Sequence, residues 1–245
     1  MGCSAGILST HLAQNLLKVH KNSYAIVLST EITSAGWYAG NDRSKLLTVR
    51  IQRAFDDRAY LATVREEDSN GALGVSVSHD LVQVVAETVR SNITILGSCI
   101  LPFLEKFKCG VSMFRKRYIS KSAEVYVPDF KKVIQHFVLP ASGRSWIREI
   151  GKGLKLGKRD TEASLMTLRR FGNQSSSSSW YVLAYLEAKE RMKKGDKVWQ
   201  LGIGSGPKCI SFVWECNRPI VGESMKGPWA DCIDEYPVLF EDEDK

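Results

Sequence analysis

The chain has 245 residues, 44% of them hydrophobic and 25% charged, with a formal net charge of +7. That balance is ordinary for a globular protein long enough to bury a sizeable core, in one large domain or two small ones. The longest strongly apolar stretch, residues 95–104, is broken by Gly97 and Pro102 and falls short of the roughly 20 residues that a bilayer span needs; with no nucleic-acid motif and no aromatic-interleaved basic patch, nucleic acid is set aside as a partner.

The first element follows Met1-Gly2-Cys3-Ser4-Ala5-Gly6. Leu8, Leu12, Leu16 and Val19 recur at helical spacing, which predicts an amphipathic helix with Cys3 at or just before its N-terminus. There, free N–H groups and the helix dipole favour a thiolate, the nucleophilic form of cysteine. The plain alternative is a small buried cysteine beside a helix start. Residues 24–28, Tyr-Ala-Ile-Val-Leu, form a continuous apolar run of the kind found in buried strands. Leu81, Val84, Val85 and Val89 mark a second helix.

Basic residues then concentrate at Lys106, Lys108, Arg115, Lys116, Arg117 and Lys121. A solvated face explains them, as does attraction to an anionic membrane surface or to the phosphates of a bound ligand. Residues 129–137 read either as a helix leading into a short strand or as strand throughout. Five serines at 175–179 would alone suggest a flexible linker. Placed before a strong helical pattern at 180–194, they also suit a packed turn near a ligand. Gly195 is placed to end that helix. Residues 198–203 form a strand entering the glycine-rich turn Gly204-Ser205-Gly206, and the acidic tail at 241–244 is expected to fray. Helices alternating with strands imply a layered α/β fold.

Six cysteines (Cys3, Cys99, Cys109, Cys209, Cys216, Cys232) and four scattered histidines show no metal-ligand spacing, so no metal is expected. Nothing at the N-terminus reads as a secretory signal, and Gly6 stands where a myristoylation signal wants Ser or Thr. The thiols are therefore read as reduced, and the sequons at Asn92 and Asn173 carry no weight.

Several motifs occur together and in order: Gly2-Cys3-Ser4-Ala5-Gly6, Tyr38-Ala39-Gly40-Asn41-Asp42-Arg43-Ser44, Gly74-Val75-Ser76-Val77-Ser78, Arg170-Phe171-Gly172-Asn173, and the run from Trp199 to Gly206 followed by Lys208-Cys209. In this order they resemble the plant 3-ketoacyl-CoA synthases, the condensing enzymes of very-long-chain fatty acid elongation, from Cys3 to about Pro237. The resemblance implies a thiolase-like α-β-α-β-α fold, incomplete in its N-terminal half. Residues 1–68 would be a remnant of the first half, starting at the nucleophile helix, and residues 69–245 the second half. It implies acyl-CoA and malonyl-CoA as substrates, no cofactor, and a dimer with itself or with related synthases. An endoplasmic reticulum membrane location is implied too, although the relatives' membrane-spanning segments are not seen in this chain, which could instead be cytosolic.

The implied chemistry is a decarboxylating Claisen condensation through a cysteine acyl-enzyme. Cys3 matches the family nucleophile, Asn173 the family asparagine, and Gly204, Ser205 and Gly206 the turn that lines the acyl pocket. The family histidine has no counterpart: its pattern His-Phe-Cys-Ile-His-Ala-Gly-Gly-Arg is here His136-Phe137-Val138-Leu139-Pro140-Ala141-Ser142-Gly143-Arg144. Proline has no ionisable group and no N–H, so Pro140 cannot act as an imidazole does. His136, about 13 Å away in an extended strand, is expected to support rather than replace it. Arg169 stands where many relatives carry histidine or tyrosine. Two further departures are expected to weaken the fold: the segment preceding the nucleophile in relatives is missing, and Leu46-Leu47 runs directly into Thr48-Val49-Arg50 where relatives carry a further strand. Against the synthase reading stands a non-catalytic relic, or a dimerisation partner of intact relatives.

Overall fold

A computed structural model describes residues 2–30, 63–71, 73–77, 80–120, 126–204 and 208–239. Helix α1, Ala5–Val19, follows a 3-10 turn at Gly2–Ser4. Strands β1 (Thr63–Glu67) and β2 (Leu73–Val77) form an antiparallel pair, with Thr63 opposite Val77 and Glu67 opposite Leu73. Two helices come next, α2 (Asp80–Ile100) and α3 (Phe103–Tyr118). Strand β3 (His136–Val138) precedes α4 (Arg144–Gly153), α5 (Lys158–Phe171) and α6 (Ser178–Ala188). Strands β4 (Lys197–Gly204) and β5 (Lys208–Glu215) complete a three-stranded sheet in the order β3-β4-β5. The chain divides into two compact units. One comprises Met1–Ile93, Gln174–Ser177 and Gly202–Ser211; the other comprises Thr94–Asn173, Ser178–Leu201 and Phe212–Lys245.

The core of the second unit is built on β3 and the first part of β4. They run parallel, with His136 beside Val198 and Val138 beside Gln200. Phe137, Val138, Trp199 and Leu201 are buried there, and the Trp199 ring lies 5.0 Å from Phe130 and 6.0 Å from Phe137. A strand apolar on both faces is what the middle of a covered sheet requires. A second cluster centres on Trp229, which meets Phe171, Tyr185 and Tyr236 edge-on at 5.0, 4.9 and 5.1 Å. Its indole N–H donates to the Tyr181 carbonyl at 3.0 Å. Burying this much aromatic area dominates the packing at the end of α5.

Several expectations hold and others need correction. Val84, Val85 and Val89 are buried on α2 as their spacing predicts. Residues 129–137 resolve into a 3-10 turn, Phe130–Lys132, leading into β3. The serine run is not a linker: Ser175–Ser177 form a 3-10 turn, Ser178 and Ser179 open α6, and Ser176, Ser178 and Ser179 are buried. Residues 24–28, read as a strand, are not one. They pair with no strand among the described residues, and Tyr24, Ile26 and Leu28 are almost fully exposed. An apolar run becomes a strand only where neighbours accept its hydrogen bonds.

Helix α1 forms as predicted, yet its Leu12, Leu16 and Val19 stand 50–76% exposed, and burial is confined to Gly6, Ile7 and Thr10. Helix α6 ends at Ala188, short of the expected stop at Gly195. Glu190, at φ 50°, caps it instead: its N–H donates to the Glu187 carbonyl at 2.8 Å and the Arg191 N–H to the Leu186 carbonyl at 3.1 Å. That is a Schellman closure built without glycine. The segments 38–44, 46–50 and 241–244, with Ser78, lie outside the described residues.

Helix α3 is fastened by a buried carboxylate. Glu105 accepts from Lys132 Nζ at 2.6 Å, the Tyr126 hydroxyl at 2.7 Å and the Asp129 N–H at 3.1 Å. These donors hold its carboxyl at about 2, against an ordinary 4.5. Because the folded value lies below the unfolded one, Glu105 stabilises the fold above about pH 4.5 and loses that contribution as pH falls toward 2. We expect Glu105→Gln to lower the urea midpoint at neutral pH and to flatten its fall between those limits relative to wild type, measured by circular dichroism.

Candidate active site

Gly2, at φ 50°, turns the backbone into the 3-10 segment that carries Cys3. Cys3 is half-buried, and Ser4 beside it is 3% exposed. Ala5 and Gly6 follow without bulk, so α1 starts close to its neighbours, and Thr10 returns a hydrogen bond to the Gly6 carbonyl at 3.1 Å. The Ser175–Ser177 turn packs against both the Cys3 turn and α1. Ser177 also donates to the Ser29 carbonyl at 3.1 Å.

The tightest contact beside Cys3 comes from β4. A methyl added at Gly202 would lie 2.8 Å from Ile7 Cδ1, 3.1 Å from Ile210 Cγ2 and 3.5 Å from Ser4 Cα. Only glycine lets the strand approach the Cys3 turn this closely. Gly204, two residues on, is buried at the end of β4, and Ser205 and Gly206 lie outside the described residues. Gly202 was visible in the sequence only as part of a glycine-rich run; nothing in the spacing marked it as the contact that seats Cys3.

In this same unit Asn92 Nδ2 donates to the Cys209 carbonyl at 3.3 Å, and the Asn92 amide oxygen accepts from the Ser211 hydroxyl, joining α2 to β5. Burial pushes the Cys209 thiol up to about 12, which keeps it protonated at neutral pH. Cys232, in the second unit, is also buried, and its thiol is raised for the same reason.

Asn173 and Pro140 both belong to the second unit, and α5 organises both. Gly172, at φ 67°, ends α5 and turns the chain into Asn173, which is exposed. Arg170 and Phe171, in the same motif, are anchors. The Arg170 guanidinium makes a bidentate pair with Asp231 at 2.8 Å and lies 5.0 Å from the Phe171 ring and 5.7 Å from Trp229. That pairing lowers the Asp231 carboxyl below its usual range. Earlier along the helix, the buried Ser164 hydroxyl accepts from the Leu139 N–H and donates to the Leu139 carbonyl, both at 3.0 Å. Pro140 follows directly and is buried. His136 is spent elsewhere: its Nε2 lies 2.9 Å from Asp196 Oδ2, which also accepts the Lys193 N–H at 2.9 Å. That places His136 as a tie between β3 and the turn before β4. Among the described residues no group of His, Cys, Asp and Glu could hold a metal ion.

Residues 1–54 and 46–118 match the family model described as FAE1/Type III polyketide synthase-like protein, and residues 131–216 match the C-terminal model of 3-oxoacyl-[acyl-carrier-protein] synthase III. The 3-ketoacyl-CoA synthases 6 and 4 of Arabidopsis thaliana are each 42% identical over 98% of the chain, covering 54% and 52% of their own lengths. The chain is similar to the 3-ketoacyl-CoA synthases along nearly its whole length. It spans about half the length of the curated relatives it matches. The alignment to synthase 6 runs over 270 positions, more than the 245 residues present. The two stretches of the first family match overlap at residues 46–54. Among solved structures, the type III polyketide synthase domain of Steely1 from Dictyostelium aligns with TM-score 0.58 and 16% identity over 89% of this chain and 60% of its own. A 3-oxoacyl-(acyl-carrier-protein) synthase III aligns at 0.53 and 15%, over 88% and 67%. The fold class is therefore thiolase-like α/β.

The Gly202 contact makes a direct prediction. Gly202→Ala forces Ile7 or the Cys3 turn to shift, and overpacking of this kind costs about 1–3 kcal/mol. Urea denaturation should show that loss. Alkylation of Cys3 by iodoacetamide, followed by peptide mass spectrometry, should change in rate, while Cys209 and Cys232 stay slow in both proteins.

Proposed function

We propose that this chain is a 3-ketoacyl-CoA synthase-like acyltransferase of very-long-chain fatty acid elongation, acting at the endoplasmic reticulum membrane and weakened at its condensing step. The observation that carries the reading is the seat of Cys3: a thiol at a helix start, held by a serine turn and by a strand that only glycine can bring so close. Cys3 would attack the thioester of an acyl-CoA, release CoA thiol and retain the acyl group. Malonyl-CoA would lose carbon dioxide, its enolate carbon would attack the Cys3 thioester, and the thiolate would leave. Asn173 would donate to the developing oxyanion, and Gly204, Ser205 and Gly206 would line the acyl pocket. Residues 1–68 and 69–245 would then correspond to the two halves of the thiolase-like fold.

Pro140 supports the weakened reading. It sits buried after the clamped Leu139, where the family pattern has its histidine, and supplies neither proton nor donor. Losing one preorganised donor at an oxyanion costs roughly 10²–10³ in rate. The same observation favours a second reading, a non-catalytic partner that dimerises with an intact relative. Condensation of acyl-CoA with radiolabelled malonyl-CoA separates the two. We expect slow ketoacyl-CoA formation that Cys3→Ala abolishes and Pro140→His raises. Wild-type turnover equal to that of Pro140→His would overturn the role given to Pro140. No product from either protein, with co-purification of an intact relative, would favour the partner reading.

A further inference from the structure

Helix α3 is amphipathic in the unusual sense that its polar side faces the protein. Glu105 is 1% exposed and held by Tyr126, Asp129 and Lys132, and Ser112 on the same side accepts the Tyr126 N–H at 2.7 Å. The opposite side is apolar. At about 100° per residue, Phe103, Leu104, Phe107, Val111, Phe114 and Tyr118 fall within one stripe about 100° wide. All six are 50–78% exposed. Phe103 and Phe107 stack at 6.4 Å and Phe114 meets Tyr118 at 4.7 Å, so an aromatic pair stands toward each end of the stripe.

Charge says what covers it. Lys108 and Arg115 run along one edge of the stripe, Lys106 and Arg117 along the other, and Lys116 lies farther round. Glu105 is the sole acidic residue of α3, and it is buried and neutralised. The exposed surface of the helix therefore carries five basic and no acidic side chains. Two copies of such a face would repel each other, which disfavours self-association through it. Basic side chains flanking exposed aromatics match a bilayer surface of anionic lipid. The rings enter the boundary between headgroups and acyl chains, while Lys and Arg extend along it to phosphate. At 16 residues the helix is about 24 Å long, shorter than a hydrocarbon core of about 30 Å, and it carries charge in its first turns. It is too short and too charged to cross a membrane.

We propose that α3 docks this protein onto anionic phospholipid surfaces, with Phe103, Phe107 and Phe114 entering the bilayer interface and the flanking Lys and Arg residues contacting headgroup phosphates. This is independent of the chemistry assigned to Cys3.

Flotation of the full chain on density gradients tests it, because lipid-bound protein rises and aggregate sinks. The probes are vesicles of phosphatidylcholine alone and of phosphatidylcholine with an equal part of phosphatidylserine. We expect the chain to float with the mixed vesicles, less so in high salt, and only weakly with phosphatidylcholine. Each basic residue lost should weaken binding about fivefold. Replacing Lys106, Arg115, Lys116 and Arg117 together with Gln should therefore lower affinity for the mixed vesicles by on the order of 10²–10³. Phe107→Ser with Phe114→Ser should abolish flotation on both, and so should Leu104→Ser with Val111→Ser. These side chains are exposed, so circular dichroism should show folds unchanged. Failure to float with the mixed vesicles would overturn the proposal, as would flotation indifferent to both serine pairs. Oligomers dissolved by both serine pairs, without lipid binding, would assign the face to a second copy instead and also overturn it.

Discussion

The close approach of β4 to the Cys3 turn is the constraint on which the candidate site depends. Gly202 leaves space for Ile7 and for the backbone of Ser4, and a single added methyl would occupy it. The small residues Gly2, Ala5 and Gly6 allow the same proximity from the other side. The Cys3 turn is set by packing: a strand and a serine turn close around it, and the thiol is half-buried. The same β4 strand carries Trp199 and Leu201 into the core of the second unit. Eight consecutive residues therefore supply both an aromatic core and the glycines at the site.

Helix α5 plays the corresponding part in the second unit. Its Ser164 clamps the segment bearing Pro140, and its last turn, anchored by Arg170 and Phe171 on Trp229 and Asp231, presents Asn173. The segment that bears Pro140 is therefore held firmly on α5. His136 is engaged with Asp196, so the nearest histidine in the sequence is not free to take over.

Polar groups do more at the periphery than the hydrophobic pattern suggests. Glu105, with Tyr126, Asp129 and Lys132, holds α3 with its apolar stripe outward, an arrangement that costs apolar exposure unless something covers it. Glu162 likewise accepts from Tyr185 and pairs with Arg191, fixing the end of α6 to α5. Burial and this bond together raise the Tyr185 phenol far above its usual range, so it remains a neutral donor. Buried carboxylates with full donor sets orient elements rigidly because leaving them unpaired is so costly.

The sequence determined the family resemblance, through motifs whose residue types are dictated by local chemistry: a cysteine among small residues, an Arg-Phe-Gly-Asn turn, a glycine-rich strand end. It also determined α1, the buried face of α2 and strand β4, because their periodicity or continuous apolarity is a local property. What it did not determine is which apolar surfaces are covered. Leu12, Leu16 and Val19 follow the same spacing rule as Val84, Val85 and Val89, yet the first set is exposed and the second buried. Residues 24–28 read as strand and have no pairing partner among the described residues. Hydrophobic spacing records that a face exists; only long-range neighbours decide whether it meets a core, a lipid surface or water. The roles of Gly202, Ser164 and Glu105 were hidden for the same reason. Each acts through residues distant in sequence, and only tertiary structure brings those partners within contact.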